Sequence, residues 1–193
     1  MKIGPKTFFL MGLALFVFGC ATADEKYFLK AETKANVFVS PDKTSVQKVA
    51  IMPFKAPTEL IGSSVSDLFV TEMLRAGKYT LVERSQLTTV LKESELSLAG
   101  LSAASAVEVG NMVGADAVIM GTVDEYGTVP YRGDPYASIG LSARLTDCKS
   151  GKVLWSVDYA GRAESRRTTL SEQSRLIVHD MCASLFKKWR EME

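Results

Sequence analysis

Val113-Gly114-Ala115-Asp116-Ala117-Val118-Ile119-Met120-Gly121-Thr122-Val123 sets the architecture of this chain. Four apolar residues in a row, Ala117 to Met120, follow a glycine and a carboxylate. A short apolar run bounded by turn residues reads as a buried strand, here continuing toward Val123. Gly114 reads as the end of a short helix, in the φ > 0 conformation that glycine adopts at little cost. Asp116 opens the strand and is placed to cap a neighbouring helix or loop. The stretch is therefore a helix handing over to a buried strand.

The same alternation extends upstream. The helix that Gly114 ends starts at one of two serines. Ser105-Ala106-Val107-Glu108 has the form of a capping box, and Ser102 competes as the N-cap. Residues 49–52 read as a short apolar strand that Pro53 stops. Residues 61–76 predict a helix with Ile61, Val65, Leu68, Phe69 and Leu74 on one broad face and Gly77 at its C-terminal end. Residues 79–83 read as a strand, Ser85 caps a second helix carrying Leu87, Val90 and Leu91, and residues 97–100 read as loop.

Downstream, residues 127–135 hold two prolines and two glycines and read as a loop. Residues 139–146 and 152–160 read as a hairpin joined through Cys148-Lys149-Ser150-Gly151. A last helix over about 171–190 places Val178, Met181, Cys182, Leu185 and Trp189 along one stripe. Strands alternating with helices predict an α/β fold: a single domain over 46–193 with helices packed on a mixed sheet.

The N-terminus carries a different signal. Lys2 and Lys6 precede an apolar run from Phe8 to Phe18, and Gly19-Cys20 follows. About 11 apolar residues suit a signal peptide and are too few to span a bilayer core of about 30 Å. The arrangement resembles the lipobox of bacterial lipoproteins. That resemblance implies cleavage before Cys20, a diacylglyceryl thioether on its sulfur and acylation of the new amino group. The alternative is an ordinary secretory signal cut near Ala21-Thr22-Ala23. On the lipobox reading residues 1–19 are the lipoprotein signal peptide. Residues 20–45 are mostly tether, with Val37-Phe38-Val39 before Pro41 as a patch that could form a first edge strand.

Composition excludes some classes. A net charge of +1 gives no electrostatic case for nucleic acid. Arg162, Arg166, Arg167 and Arg175 are interleaved with Glu164 and Glu172 and read as a solvated face. His179 is the sole histidine and lies beside the apolar stripe of the last helix. With Cys148 and Cys182 it shows no metal-ligand spacing. There is no Gly-x-Ser-x-Gly elbow, phosphate loop or dinucleotide glycine pattern, and Asp147 and Asp158 carry no mark of an acid/base pair. No catalytic residue, cofactor or metal site is expected. Trp155 and Trp189 read as packing residues. A disulfide between Cys148 and Cys182 is open in an oxidising compartment, with two buried thiols as the alternative. The best candidate for partner recognition is the loop bearing Tyr126, Tyr131 and Tyr136, since tyrosine offers amphipathic contact area at low entropic cost.

Several segments in order resemble the CsgG-type family of curli assembly proteins. Val49-Ala50-Ile51-Met52-Pro53-Phe54 resembles its opening strand, and Tyr79-Thr80-Leu81-Val82-Glu83-Arg84-Ser85-Gln86-Leu87 a later strand and helix start. The stretch from Val113 to Val123 and the hairpin Ser150-Gly151-Lys152-Val153-Leu154-Trp155-Ser156 also match its pattern. The resemblance covers about residues 46–160. It implies a non-catalytic interaction or assembly module of the cell envelope, with homo-oligomerisation as a family habit. Ala21 is not the aspartate that holds lipoproteins at the inner membrane, so the expected place is the outer membrane, lipid-anchored and facing the periplasm. The founding member is a secretion pore whose subunits each add two β-hairpins to a shared barrel. Here the segments between Val123 and Leu141, and between Trp155 and the last helix, lack sustained alternation and hold charges and prolines. The expectation is the family's periplasmic domain without the pore. The alternatives are a tethered activator of a peptidoglycan synthase, or an oligomeric secretion pore component.

Overall fold

The computed structural model describes residues 34–41, 45–93 and 102–192. The signal peptide, Cys20, the first part of the tether and the loop at 97–100 lie outside the described residues. The elements are β1 (Asn36–Val39), β2 (Lys48–Ile51), α1 (Glu59–Ala76), β3 (Thr80–Leu81), α2 (Arg84–Glu93), α3 (Ala103–Met112), β4 (Ala117–Tyr131), β5 (Asp134–Asp147), β6 (Val153–Arg162) and α4 (Leu170–Arg190). The strands form one six-stranded sheet in the order β1-β6-β5-β4-β2-β3. β2 is parallel to β3 and β4, and the other pairs are antiparallel, so the sheet is mixed.

Strand alternation sorts the core into two layers. Val49 and Ile51 point to one face with Ile119, Leu141, Leu145, Trp155 and Val157, where α1 and α4 cover them. Ala50 and Met52 point to the other with Val118 and Cys148, under α2 and α3. Phe69 and Trp155 are wholly buried, and burying each such side chain contributes about 1.5–3 kcal/mol. The helix ends are capped locally, except that α2 begins at Arg84 and so contains Ser85, the residue expected to cap it. Thr58 Oγ1 accepts the Ile61 amide at 3.3 Å, and Gly77 at φ 63 closes α1. Ser102, not Ser105, is the N-cap of α3. Thr169 and Glu172 form a capping box that starts α4.

The Val113–Val123 stretch does what its composition implies. Gly114 takes φ 65 after α3. Asp116 Oδ2 then accepts the amides of Gln47 at 3.0 Å and Lys48 at 2.9 Å, while its own N–H donates to the Lys48 carbonyl. Asp116 thus clamps the start of β2 to the start of β4. The Lys48 and then the Gln47 amide bonds hold its carboxyl below the usual aspartate value.

One expectation needs correction, the loop at 127–135, and two points the sequence left open are resolved. Asn36–Val39 belongs to the sheet as its outer strand, antiparallel to β6, so the fold starts before residue 46. The segment at 127–135 is not a loop: β4 and β5 stay paired as far as Tyr131↔Asp134. Cys148 and Cys182 are free thiols buried in separate cores on opposite faces of the sheet. With the sheet between them they do not meet the close Cα approach, under about 7 Å, that a disulfide needs. Burial, aided by Asp147 and Asp116, pushes the Cys148 thiol up to about 11. Burial, then Glu72, raises the Cys182 thiol well above its ordinary value. Both are inert packing residues.

Candidate interaction site at the hairpin tip

β4 and β5 run on past the rest of the sheet. A bulge between Val123 and Glu125 shifts the register, and the last residue pair shared with β6 is Ser138↔Arg162. Beyond it lie four β4–β5 pairs, from Thr128↔Ala137 to Tyr131↔Asp134. Arg132 and Gly133 turn the chain at φ 52 and φ 87. This is the two-residue hairpin turn with both central residues in the left-handed region, which favours Asn-Gly. Arginine there carries a strain of about 1–2 kcal/mol.

The pleat brings Tyr131, Tyr136 and Arg162 to one face. The two rings meet edge to face with centroids 5.6 Å apart. The Arg162 guanidinium carbon lies 3.8 Å from the Tyr131 centroid and 4.8 Å from that of Tyr136. The Arg132 guanidinium carbon lies 5.2 Å from the Tyr131 centroid. Such cation–π contacts contribute about 0.5–1 kcal/mol each at exposed sites and hold the arginine heads in place. Arg162 also donates to the Ala163 carbonyl at 3.0 Å. Arg166 Nη1 reaches both oxygens of Asp134 at 3.2 and 3.3 Å, and Ala163 N–H donates to the Ala137 carbonyl at 2.7 Å. The segment after β6 therefore braces the hairpin.

Of the three tyrosines singled out from sequence, two meet here. Tyr126 does not: just past the bulge it packs against the core under α4. Sequence reasoning missed Arg162 and Arg166 as members of the site, having read them as a solvated face. Their signal is the pairing register, which the linear sequence does not display.

Other polar groups have structural roles. Glu72, buried between α1 and α4, accepts from Arg75 at 2.7 Å and lies 3.2 Å from His179 Nδ1. Glu72 thus bridges the sole histidine and a guanidinium. Asp147 is held by the Ser150 amide at 2.7 Å and the Ser150 hydroxyl at 2.6 Å, closing the β5–β6 turn. Trp155 Nε1 donates to the Tyr79 hydroxyl at 3.4 Å. Among the described residues no group of three His, Cys, Asp or Glu side chains is arranged to hold a metal ion. No described helix is long and apolar enough to cross a membrane. Beside the start of α3 a shallow groove of about 460 Å³ among the described residues runs over the sheet past Lys55, Ser142, Arg144, Ser156 and Asp158.

The profile of the family described as curli production assembly/transport component CsgG matches residues 22–173. The chain belongs to the CsgG family. The CsgG match takes in β1 and runs into α4. Among solved structures, the PelC dodecamer from Paraburkholderia phytofirmans is similar at 19% identity and a TM-score of 0.55, covering 77% of this chain and 94% of that one. The lipoprotein GNA1162 from Neisseria meningitidis is similar at 20% identity and a TM-score of 0.55, covering 75% and 99%. At these identities the likeness shows the CsgG-like fold. Comparison with curated protein sequences gave no match.

Proposed function

We propose that the chain is an outer-membrane lipoprotein, anchored through acylated Cys20, whose α/β domain acts in the periplasm as a non-catalytic interaction module in envelope assembly or secretion. One observation carries this reading: the family match begins at residue 22, two residues after a cysteine that ends a signal-peptide-like segment. One acyl chain binds a membrane marginally and two or more hold it, so a modified Cys20 would make the attachment lasting. The GNA1162 structure is that of a lipoprotein, and the PelC structure is a dodecamer. These support an anchored and self-associating protein. The hairpin tip, with Tyr131 and Tyr136, is the recognition element. Its four projecting pairs are about 13 Å long at about 3.3 Å per residue, against a bilayer core of about 30 Å. That length supports a module over a barrel-forming subunit.

The test is fractionation with Cys20→Ala. The native protein should sediment with outer membranes and should be captured as oligomers by crosslinking in intact cells. The variant should leave the outer-membrane fraction with its domain folded. Unchanged membrane retention of the variant would overturn the reading.

A further inference from the structure

We propose that the hairpin tip is a second membrane contact, seated on a lipid surface with anionic headgroups beside the point where the tether enters the domain. This deepens the reading above: the tip's partner is the membrane that holds the anchor.

The topology brings the two together. β1 is antiparallel to β6 with Asn36 opposite Asp158, so the chain enters the fold at the end where β6 finishes. Lys34 Nζ lies 3.8 Å from Glu164 Oε1, next to the segment that braces the hairpin. The tip projects from this same end, and the β5–β6 turn at 148–152 lies at the other. Because the tether meets the fold at the tip's end, an anchor at Cys20 brings that end to the surface with the least extension of residues 20–33.

The chemistry fits a headgroup layer. Pro130, Tyr131 and Pro135 are exposed at the tip, and Tyr131 pairs with the half-buried Tyr136. Tyrosine settles at the membrane–water boundary, with its ring toward the apolar side and its hydroxyl in water. Arg132 and Arg162 lie over the Tyr131 ring. Arg166 is paired with Asp134 and Lys34 with Glu164 at the same end, and exposed Arg167 follows in the bracing segment, so cations outnumber carboxylates there. Arg162 is stacked over both rings, and among the described residues one of the five N–H donors of its guanidinium is engaged, by the Ala163 carbonyl. Phosphate oxygens are the acceptors that match such a fork. Arg132 occupies a turn position where glycine or asparagine would be unstrained, as expected when a side chain is kept for contact rather than for folding.

The test supplies the tether artificially. The chain from residue 20, with a histidine tag replacing Cys20, is held on phosphatidylethanolamine/phosphatidylglycerol vesicles doped with a nickel-chelating lipid and a headgroup quencher. A fluorophore is placed at Thr128→Cys beside the tip, or at Lys152→Cys at the far end. Quenching should be severalfold greater at 128 than at 152. Arg162→Gln should lower surface occupancy about fivefold, the factor for ~1 kcal/mol per arginine near an anionic surface. Tyr131→Ser should lower it as well, with circular dichroism unchanged. Equal quenching at the two positions would overturn the proposal, as would capture of a protein at the tip in cells without lipid contact. The result does not depend on acylation of Cys20, so it separates this proposal from the anchor reading.

Discussion

Replacing Asp116 with alanine should destabilise the domain by about 2 kcal/mol. Asp116 Oδ2 accepts two backbone amides, those of Gln47 and Lys48. The Gln47 amide is exposed and water can replace the lost acceptor. The Lys48 amide is part-buried and would go unpaired. A net hydrogen bond contributes about 0.5–1.5 kcal/mol, and bonds to charged groups about 1.5–3; with one amide wet and one partly dry, about 2 kcal/mol follows. For a domain of this size that lowers Tm by roughly 4–8 °C. Asp116→Asn keeps one acceptor oxygen without the charge and should cost about half as much. The pH dependence has a fixed sign. The folded carboxyl sits below its ordinary value of 3.8, so its stabilisation is complete above that value and is lost as pH falls through the lower folded one. The assay is urea denaturation of native protein and variant from neutral pH to pH 2. A neutral-pH difference below about 0.5 kcal/mol, or one that grows on acidification, would refute the clamp between β2 and β4.

Tyr79→Phe leaves the buried indole N–H of Trp155 without its acceptor and should cost about 1–3 kcal/mol, read from urea midpoints. Gly121→Ala places a methyl group against the Phe54 ring, which packs on Phe69 with centroids 4.9 Å apart; a loss of about 1–3 kcal/mol is expected. Arg132→Gly relieves the left-handed strain and should raise stability by about 1 kcal/mol while weakening vesicle contact of the tip. A thiol reagent should leave Cys148 and Cys182 unmodified in the native domain and label both in denaturant, with no mobility difference between reduced and non-reduced samples.

The parts of the fold legible in the sequence are those fixed by local pattern. Gly114 and Gly77 mark helix ends because a positive φ is needed there, and the α4 stripe and the Ala117–Met120 run are periodic within a single element. Elements fixed by pairing were harder to read. β1 has only four residues before Pro41, and its strand state comes from hydrogen bonding to β6. In the hairpin, the bulge at Val123/Glu125 breaks the inside–outside alternation. Pro130 and Pro135 face each other across the strands. Prolines survive there because that part of the hairpin is a sheet edge, where a missing N–H leaves no ladder partner unsatisfied. Tyr131 and Tyr136 were visible as candidates, while their arginine partner lies 26 residues beyond Tyr136 and arrives through the register Ser138↔Arg162. The two cysteines looked pairable only while the sheet between them was unseen.

The central claim is that a lipid at Cys20 anchors a CsgG-family domain, and mass analysis of the N-terminal peptide from protein purified out of native membranes tests it most directly. The account predicts a peptide beginning at Cys20 and carrying a diacylglyceryl thioether with an acylated amino group. A peptide with an unmodified Cys20 thiol, or a mature chain that begins downstream of residue 20, would contradict it.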